Sequence, residues 1–227
     1  MLLVSMLAGY LLGSIPVAWL VARAVTGQDL RRLGSGNVGV LNTAVSVARW
    51  AGLLAFVAEA AKGVGAVFLA RSLSSDSTAP ALTLLAAVAG TRWSIWLRGA
   101  GGRGMTASTA GVLVLSWSTV VCGLALWCLA RLLVRRSFVA TRILLLTWPF
   151  LFGLLTRSWW NGLAGAALSL MFLTTHRPET DDHLIIQERW PSLWRFLTGP
   201  RRFKTRRPSE STGSSGEATD DATPAEH

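Results

Sequence analysis

Two segments of the chain gather the residue types that hold oxyanions. The first, RRLGSGNVG over residues 31–39, sets Arg31 and Arg32 beside Gly34, Ser35, Gly36 and Asn37. Glycines let backbone N–H groups approach an anion closely, while Ser and Asn add neutral donors. The second, LRGAGGRGMTAS over residues 97–108, places Gly99, Gly101, Gly102 and Gly104 around Arg103 and runs straight into an apolar segment. As a helix, that segment would add N-terminal N–H donors and the positive end of its dipole. Together the two segments describe a cradle for one or two phosphate groups. A basic, glycine-rich connector between helices uses the same residues, and composition alone leaves both readings open. The Gly-Lys-Ser/Thr of a P-loop is missing, as is the strand before a dinucleotide turn, which argues against a nucleotide.

Glu59 and Lys62 form a third constellation, inside an apolar run. Three residues apart, they share a helix face and can pair. Charges within a membrane are costly and are functional candidates by default; an ion pair joining helices is the preferred reading, and support of a nearby site the other. No metal or cofactor is expected, because all three His lie beyond residue 175, at 176, 183 and 227. Cys122 and Cys128 fall in an apolar run and are expected to be buried packing residues.

These residues need elements to hold them, and composition says which kind. Mean hydropathy is +0.43 and charged residues make up only 15% of the 227, against roughly a quarter in soluble domains. Of the 12 acids, only Asp29, Glu59 and Asp76 precede residue 176. Residues 1–175 therefore read as an integral membrane body. Residues 176–207, basic and amphipathic, are expected to lie on the anionic inner leaflet. Residues 208–227 carry acids but no Lys or Arg and read as disordered. The net charge of +10 could suggest nucleic acid, but the arginines sit in short clusters between apolar runs, where membrane orientation and anion binding explain them better. The chain is expected to act as a monomer among membrane lipids.

The fold class is all-α and polytopic. Leu2–Ala22 is uncharged, long enough to cross a bilayer, and has no basic segment before it, so it is expected to be a retained span rather than a leader. Further spans are expected over 50–70, 81–96, 105–117, 119–134, 139–156 and 158–175, with an outer turn at Ser116–Thr119. Seven spans with the N-terminus outside and the C-terminus cytoplasmic place 19 of the 22 basic residues inside, as the positive-inside rule requires. Arg71 and Arg157 are then outside. In this topology both glycine-arginine loops lie on the cytoplasmic face and can converge.

At this point the chain resembles the bacterial acyl-phosphate:glycerol-3-phosphate acyltransferases. Gly13-Ser14-Ile15-Pro16, Asp29, Arg31 and the GSGNVG run through Asn42 are similar to that family's first signature. Glu59–Gly63, EAAKG, resembles its Asp-x-x-Lys-Gly element, and GTRWSIWLRGAGGRGMTAS over residues 90–108 its second signature. His176-Arg177 opens a split version of the third. Leu41, Val45 and Thr91 stand where the family pattern carries Thr, Arg and His, while Arg103 replaces a Lys and Arg142 a Ser. The resemblance implies a seven-helix bacterial inner-membrane enzyme that transfers a fatty acyl group from acyl phosphate to sn-glycerol 3-phosphate. Its product would be lysophosphatidic acid, made without a metal or coenzyme A. It implies catalytic roles for Ser35, Asn37 and Arg103. Phosphate contacts are implied from Arg31, Gly34, Gly36, Asn42, Arg49, Gly101, Gly102, Gly104, Arg142, His176 and Arg177. Two other readings remain open on the residues: a relative that binds glycerol phosphate or lipid without turnover, and a small anion transporter.

Overall fold

A computed structural model describes residues 1–175, so the expectations for His176, Arg177 and the two tail segments lie outside the described residues. The first apolar run does not form one helix. It divides into α1 (Leu2–Ser14) and α2 (Val17–Thr26), with Ile15 extended at φ −62°, ψ 113°. Pro16 causes the break: it lacks an N–H, and its ring disfavours helical geometry in the residue before it. After a 3₁₀ turn at Leu30–Arg32 come α3 (Val40–Ser46) and the long α4 (Arg49–Leu73). The remaining helices are α5 (Ala79–Arg92), α6 (Met105–Leu115), α7 (Trp117–Val134), α8 (Ser137–Thr156) and α9 (Trp159–Thr175).

The boundaries of α6 to α9 fall close to the four short spans read from charge placement. The outer turn is tighter than expected. Ser116 alone separates α6 from α7, and its hydroxyl accepts the Thr119 N–H to cap the new helix.

The bundle is inside out relative to a soluble domain. Leu3, Leu53, Val57, Leu124, Leu132, Phe150 and Leu154 are exposed, as lipid-facing side chains must be. Among the described residues, four helical segments, including α1 and α2 taken together, are long and apolar enough to cross a bilayer. The protein is therefore a multi-pass membrane protein. Cys122 and Cys128 also point outward rather than into the core. In lipid an apolar thiol gains nothing by burial, so the soluble-protein expectation fails there.

Small residues set the helix contacts. Gly9 and Gly13 of α1 lie against Thr83 and Ala87 of α5, so the two helices run parallel, and a Cβ on Gly13 would overlap the Ala87 carbonyl. Close backbone approach of this kind drives helix association where lipid removes the hydrophobic term. Polar contacts rivet the same seam: Thr83 Oγ1 donates to Ser5 Oγ (3.0 Å) and Ser94 Oγ to the Ser14 carbonyl (2.6 Å). One apolar core, with Val67, Leu84, Val88, Val112, Phe152 and Leu168, sits between α4, α5, α6, α8 and α9. A second, around Ala18, Leu30, Val47, Ala51, Ala55 and Leu97, packs α2 and the first loop onto the start of α4. This second core is what holds the loop in place.

Candidate active site

The first glycine-arginine loop is organised around Asn42, which is only 2% exposed. Its amide nitrogen donates to the carbonyls of Leu33 (3.0 Å) and Asn37 (2.9 Å), with a longer approach to Leu30 (3.4 Å). Its Oδ1 accepts the Ser35 N–H (3.3 Å) and the Ser46 hydroxyl (2.9 Å). Gly34 must be glycine here. Its φ is +53°, and a Cβ would run into Ser46 Oγ and Asn42 Oδ1. Ser35 Oγ in turn accepts the Asn37 N–H at 3.3 Å, which holds the loop tip as an ordered turn.

Ahead of the loop, Arg31 forms a two-pronged pair with Asp29, with contacts of 2.6 to 3.1 Å, and Trp19 Nε1 donates to the same carboxylate at 3.0 Å. The Arg31 side chain holds the Asp29 carboxyl well below the usual carboxylate range against the opposing effect of burial, and the Arg31 N–H and Trp19 reinforce it. A depressed folded-state value makes the pair's contribution complete above the unfolded value of about 3.9 and removes it as pH falls further. With Arg31 39% exposed, that contribution is about 1 kcal/mol at most. The melting temperature of Asp29→Asn should lie a constant distance below wild type from pH 8 to pH 5. The gap should close below pH about 4.

The second loop closes the end of α5. The Gly101 N–H donates to the Arg92 carbonyl (3.1 Å) and the Gly102 N–H to the Thr91 carbonyl (3.0 Å). Gly102 then lies so close to the Val38 carbonyl that a Cβ would overlap it, while one on Gly101 would overlap the Thr91 carbonyl. The two glycine loops therefore meet backbone to backbone, as their shared membrane face leads one to expect. Arg103 follows this junction, and Gly104, at φ +76°, opens α6 with its first-turn N–H groups beside it. Arg92, at the end of α5, is near enough to Arg103 for their charges to repel. A site of gathered, mutually repelling guanidiniums is suited to an anion.

Beneath the junction lies Lys62, whose side chain is 5% exposed. Its Nζ bonds Glu59 Oε2 (2.9 Å) and the carbonyls of Gly13 (3.0 Å) and Ile15 (2.9 Å), and approaches Thr91 Oγ1 (3.4 Å). The lysine thus adds a donor to two carbonyls at the break made by Pro16, sharing Gly13 with the Thr91 hydroxyl and Ile15 with the Val17 N–H. The space between this cluster, Val38, Gly101 and Gly102 is only about 10 Å³, barely room for one water.

The Val38–Gly102 contact thus joins the loop carrying Gly34, Ser35, Gly36 and Asn37 to the loop carrying Arg103 and Gly104, with Arg49 half-buried at the start of α4 beside α3. Other expected phosphate contacts land differently. Arg31 is engaged by Asp29, the Asn42 amide is spent inside the loop, and the N–H groups of Gly101 and Gly102 seal α5. Arg142 lies on α8, which packs against α7 and α9, with its guanidinium 4.7 Å from the Phe138 ring centre. Arg92 was missed because a basic residue ending a span reads as an orientation signal. Its position in the same signature as Arg103 was the available cue.

Comparison with known proteins gives the family. Residues 3–184 match the family model described as glycerol-3-phosphate acyltransferase. Glycerol-3-phosphate acyltransferase 2 of Moorella thermoacetica is 39% identical over 168 residues, covering 70% of this chain and 81% of the relative. The glycerol-3-phosphate acyltransferase of Desulforudis audaxviator is 34% identical over 175 residues, covering 76% and 86%. The fold is similar to the crystal structure of PlsY, an integral membrane glycerol 3-phosphate acyltransferase, in its glycerol 3-phosphate form. The TM-score is 0.67 at 24% identity, with 89% of this chain and 95% of that one covered. With the match spanning the whole helical body and both glycine loops, the chain belongs to the glycerol-3-phosphate acyltransferase family.

Proposed function

We propose that the protein transfers a fatty acyl group from acyl phosphate to the 1-hydroxyl of sn-glycerol 3-phosphate, at the cytoplasmic face of a bacterial inner membrane. The observation that carries this reading is the closure of two glycine-arginine loops on each other, at one end of a lipid-facing bundle in a chain of this family. Seven passes use every described α-helix except the short α3: α1 with α2, then α4, α5, α6, α7, α8 and α9. The loop end carries Arg31, Arg32, Arg49, Arg92, Arg98, Arg103, Arg131, Arg135 and Arg136, and the other end Arg71 and Arg157. That asymmetry supports a cytoplasmic loop end and an outer N-terminus.

Both substrates carry phosphate. Arg103, Arg92 and Arg49 supply the charge to hold these groups, with the Ser35 hydroxyl and the first-turn N–H groups of α6 as neutral donors. The acceptor's 1-hydroxyl oxygen attacks the acyl carbonyl carbon, and the bond from that carbon to the phosphate oxygen breaks. The hydroxyl proton leaves with the departing phosphate, so lysophosphatidic acid and hydrogen phosphate are the products. Residues 1–175 contain no His to act as a base, and this route needs none. Alignment of the substrates and donors aimed at the developing oxyanion supply the acceleration. Asn42 and the Glu59–Lys62 pair act by holding the loops.

Purified protein given acyl phosphate and glycerol 3-phosphate should release lysophosphatidic acid. Arg103→Ala should lower kcat/KM by about 10²- to 10³-fold and Ser35→Ala by about tenfold or more, both in protein that still folds. A wild-type protein that makes no product under conditions where the Moorella enzyme does would overturn the reading.

A further inference from the structure

At the end of α4, α5 and α6 opposite the glycine loops, about 16 Å away along the 11-residue α6, the structure holds a cavity of about 480 Å³. That volume falls in the range of small-molecule sites, roughly 300–1,000 Å³. The cavity forms where the end of α4, the α6–α7 turn, the end of α8 and the first turn of α9 meet, and its lining includes Arg71, Ser75, Asp76, Ser77 and Asn161, with Leu115 and Leu155 as apolar wall.

Its two charges have no ionic partner among the described residues. Arg71 stands over the Phe68 ring at 5.9 Å. Asp76 uses Oδ1 to accept the Thr78 N–H and hydroxyl (both 2.8 Å), which leaves Oδ2 for another donor. The Asn161 side-chain amide and the Ser75 and Ser77 hydroxyls also make no hydrogen bond among the described residues. Orientation does not explain Arg71, since among the described residues it is one of two arginines at this end and runs against the charge bias of the bundle. Trp117 and Trp159 are exposed at the same end, and such aromatics sit at headgroup depth in a bilayer. One cavity therefore offers an unmatched cation, an unmatched anion and neutral donors at the level of lipid headgroups.

We propose that this cavity binds the zwitterionic headgroup of a membrane phospholipid, a phosphodiester bearing a primary ammonium. The phosphate sits on Arg71, whose planar fork suits it, and the ammonium on Asp76 Oδ2. Asn161 and the serines hold the remaining ester and phosphate oxygens. The site is separate from acyl transfer and stands whether or not that reaction is the one assigned above.

The test is native mass spectrometry of the delipidated full-length protein, titrated with phosphatidylethanolamine, phosphatidylglycerol and phosphatidylcholine, and separately with soluble phosphoethanolamine and inorganic phosphate. Phosphatidylethanolamine should bind most tightly. Arg71→Gln should weaken both it and phosphatidylglycerol about tenfold or more, and Arg71→Lys should restore part of the loss. Asp76→Asn keeps both Thr78 hydrogen bonds through its amide oxygen, and should weaken phosphatidylethanolamine alone. Acyl-transfer turnover in a fixed detergent should be unchanged in all three variants. Equal lipid binding by wild type and Arg71→Gln would overturn the site. Soluble phosphoethanolamine binding as tightly as the lipid, with the same Arg71 dependence, would overturn the lipid assignment.

Discussion

Lys62→Met should destabilise the protein by about 3–5 kcal/mol, the cost of leaving a buried charge without its partner. The Glu59 side chain is 7% exposed and has Lys62 as its ion-pair partner at 2.9 Å. The lysine also answers a backbone problem created at Pro16. The Gly13 carbonyl would bond the Val17 N–H in an unbroken helix, but that N–H turns to Ile15 instead (3.0 Å). In a bilayer no water replaces the missing donor, so the ammonium group shares the Gly13 carbonyl with the Thr91 hydroxyl (3.1 Å) and adds a second donor to the Ile15 carbonyl. Glu59→Gln removes only the anion and leaves Lys62 its carbonyl acceptors; it should cost less than half as much. The double variant Glu59→Gln/Lys62→Met should be less damaging than the two single losses added together, because the second change removes the charge that the first strands. Reversible unfolding in detergent measures all three. An unshifted Lys62→Met midpoint would mean the pair is idle. Activity should fall with stability, since Val38, Gly101 and Gly102 line the same small space as Lys62.

The legible parts of this fold were those governed by one-dimensional rules. Apolar run length and the sidedness of arginine located α4 and the four closely spaced helices α6 to α9, although α6 has only 11 residues. The same rules put both glycine loops on one face, and the Gly102–Val38 contact is the result. The exception was local: Pro16 divides the first run, where hydropathy is blind to a missing N–H. Hydrogen-bond ownership was legible for the Glu59–Lys62 pair but not within the loops. Glycine-rich sequence signals available N–H groups, but whether those of Gly101 and Gly102 face a ligand or the end of α5 depends on where α5 stops. Asn42 reads as a donor for phosphate until α3 is in place and turns its amide into the loop. Thr91 reads as a lost donor, whereas its hydroxyl lies 3.4 Å from Lys62 and donates to the Gly13 carbonyl at 3.1 Å. In each case the side chain's chemistry was visible and its partner was not.

Asn42→Asp should abolish measurable acyl transfer while changing a single atom type. The Asn42 nitrogen donates to two carbonyls, of Leu33 and Asn37, at 2.9–3.0 Å. A carboxylate there would face those oxygens with no proton to offer, in a site 2% exposed. Each stranded buried group costs about 1–3 kcal/mol, and the loop would open to reach water rather than bear it. Asn42→Ala strands the same carbonyls, plus the Ser35 N–H, but adds no repulsion, so it should be the milder change. Ser46→Ala removes only one contact to Oδ1 and should be milder still. The order expected in kcat/KM for glycerol 3-phosphate is therefore wild type, Ser46→Ala, Asn42→Ala, Asn42→Asp. The size of the Asn42→Ala loss should be about 10²-fold, since misplacing positioned groups by an ångström costs about that much. Because Asn42 touches loop backbone and Ser46 rather than the open face, its loss should raise the melting temperature's sensitivity to substrate. Saturating glycerol 3-phosphate should restore part of the Asn42→Ala stability by selecting the closed loop. Wild-type KM and melting temperature in Asn42→Ala would show that the loop is held by something else. An Asn42→Asp protein as active as Asn42→Ala would show that the amide donors are not what matters.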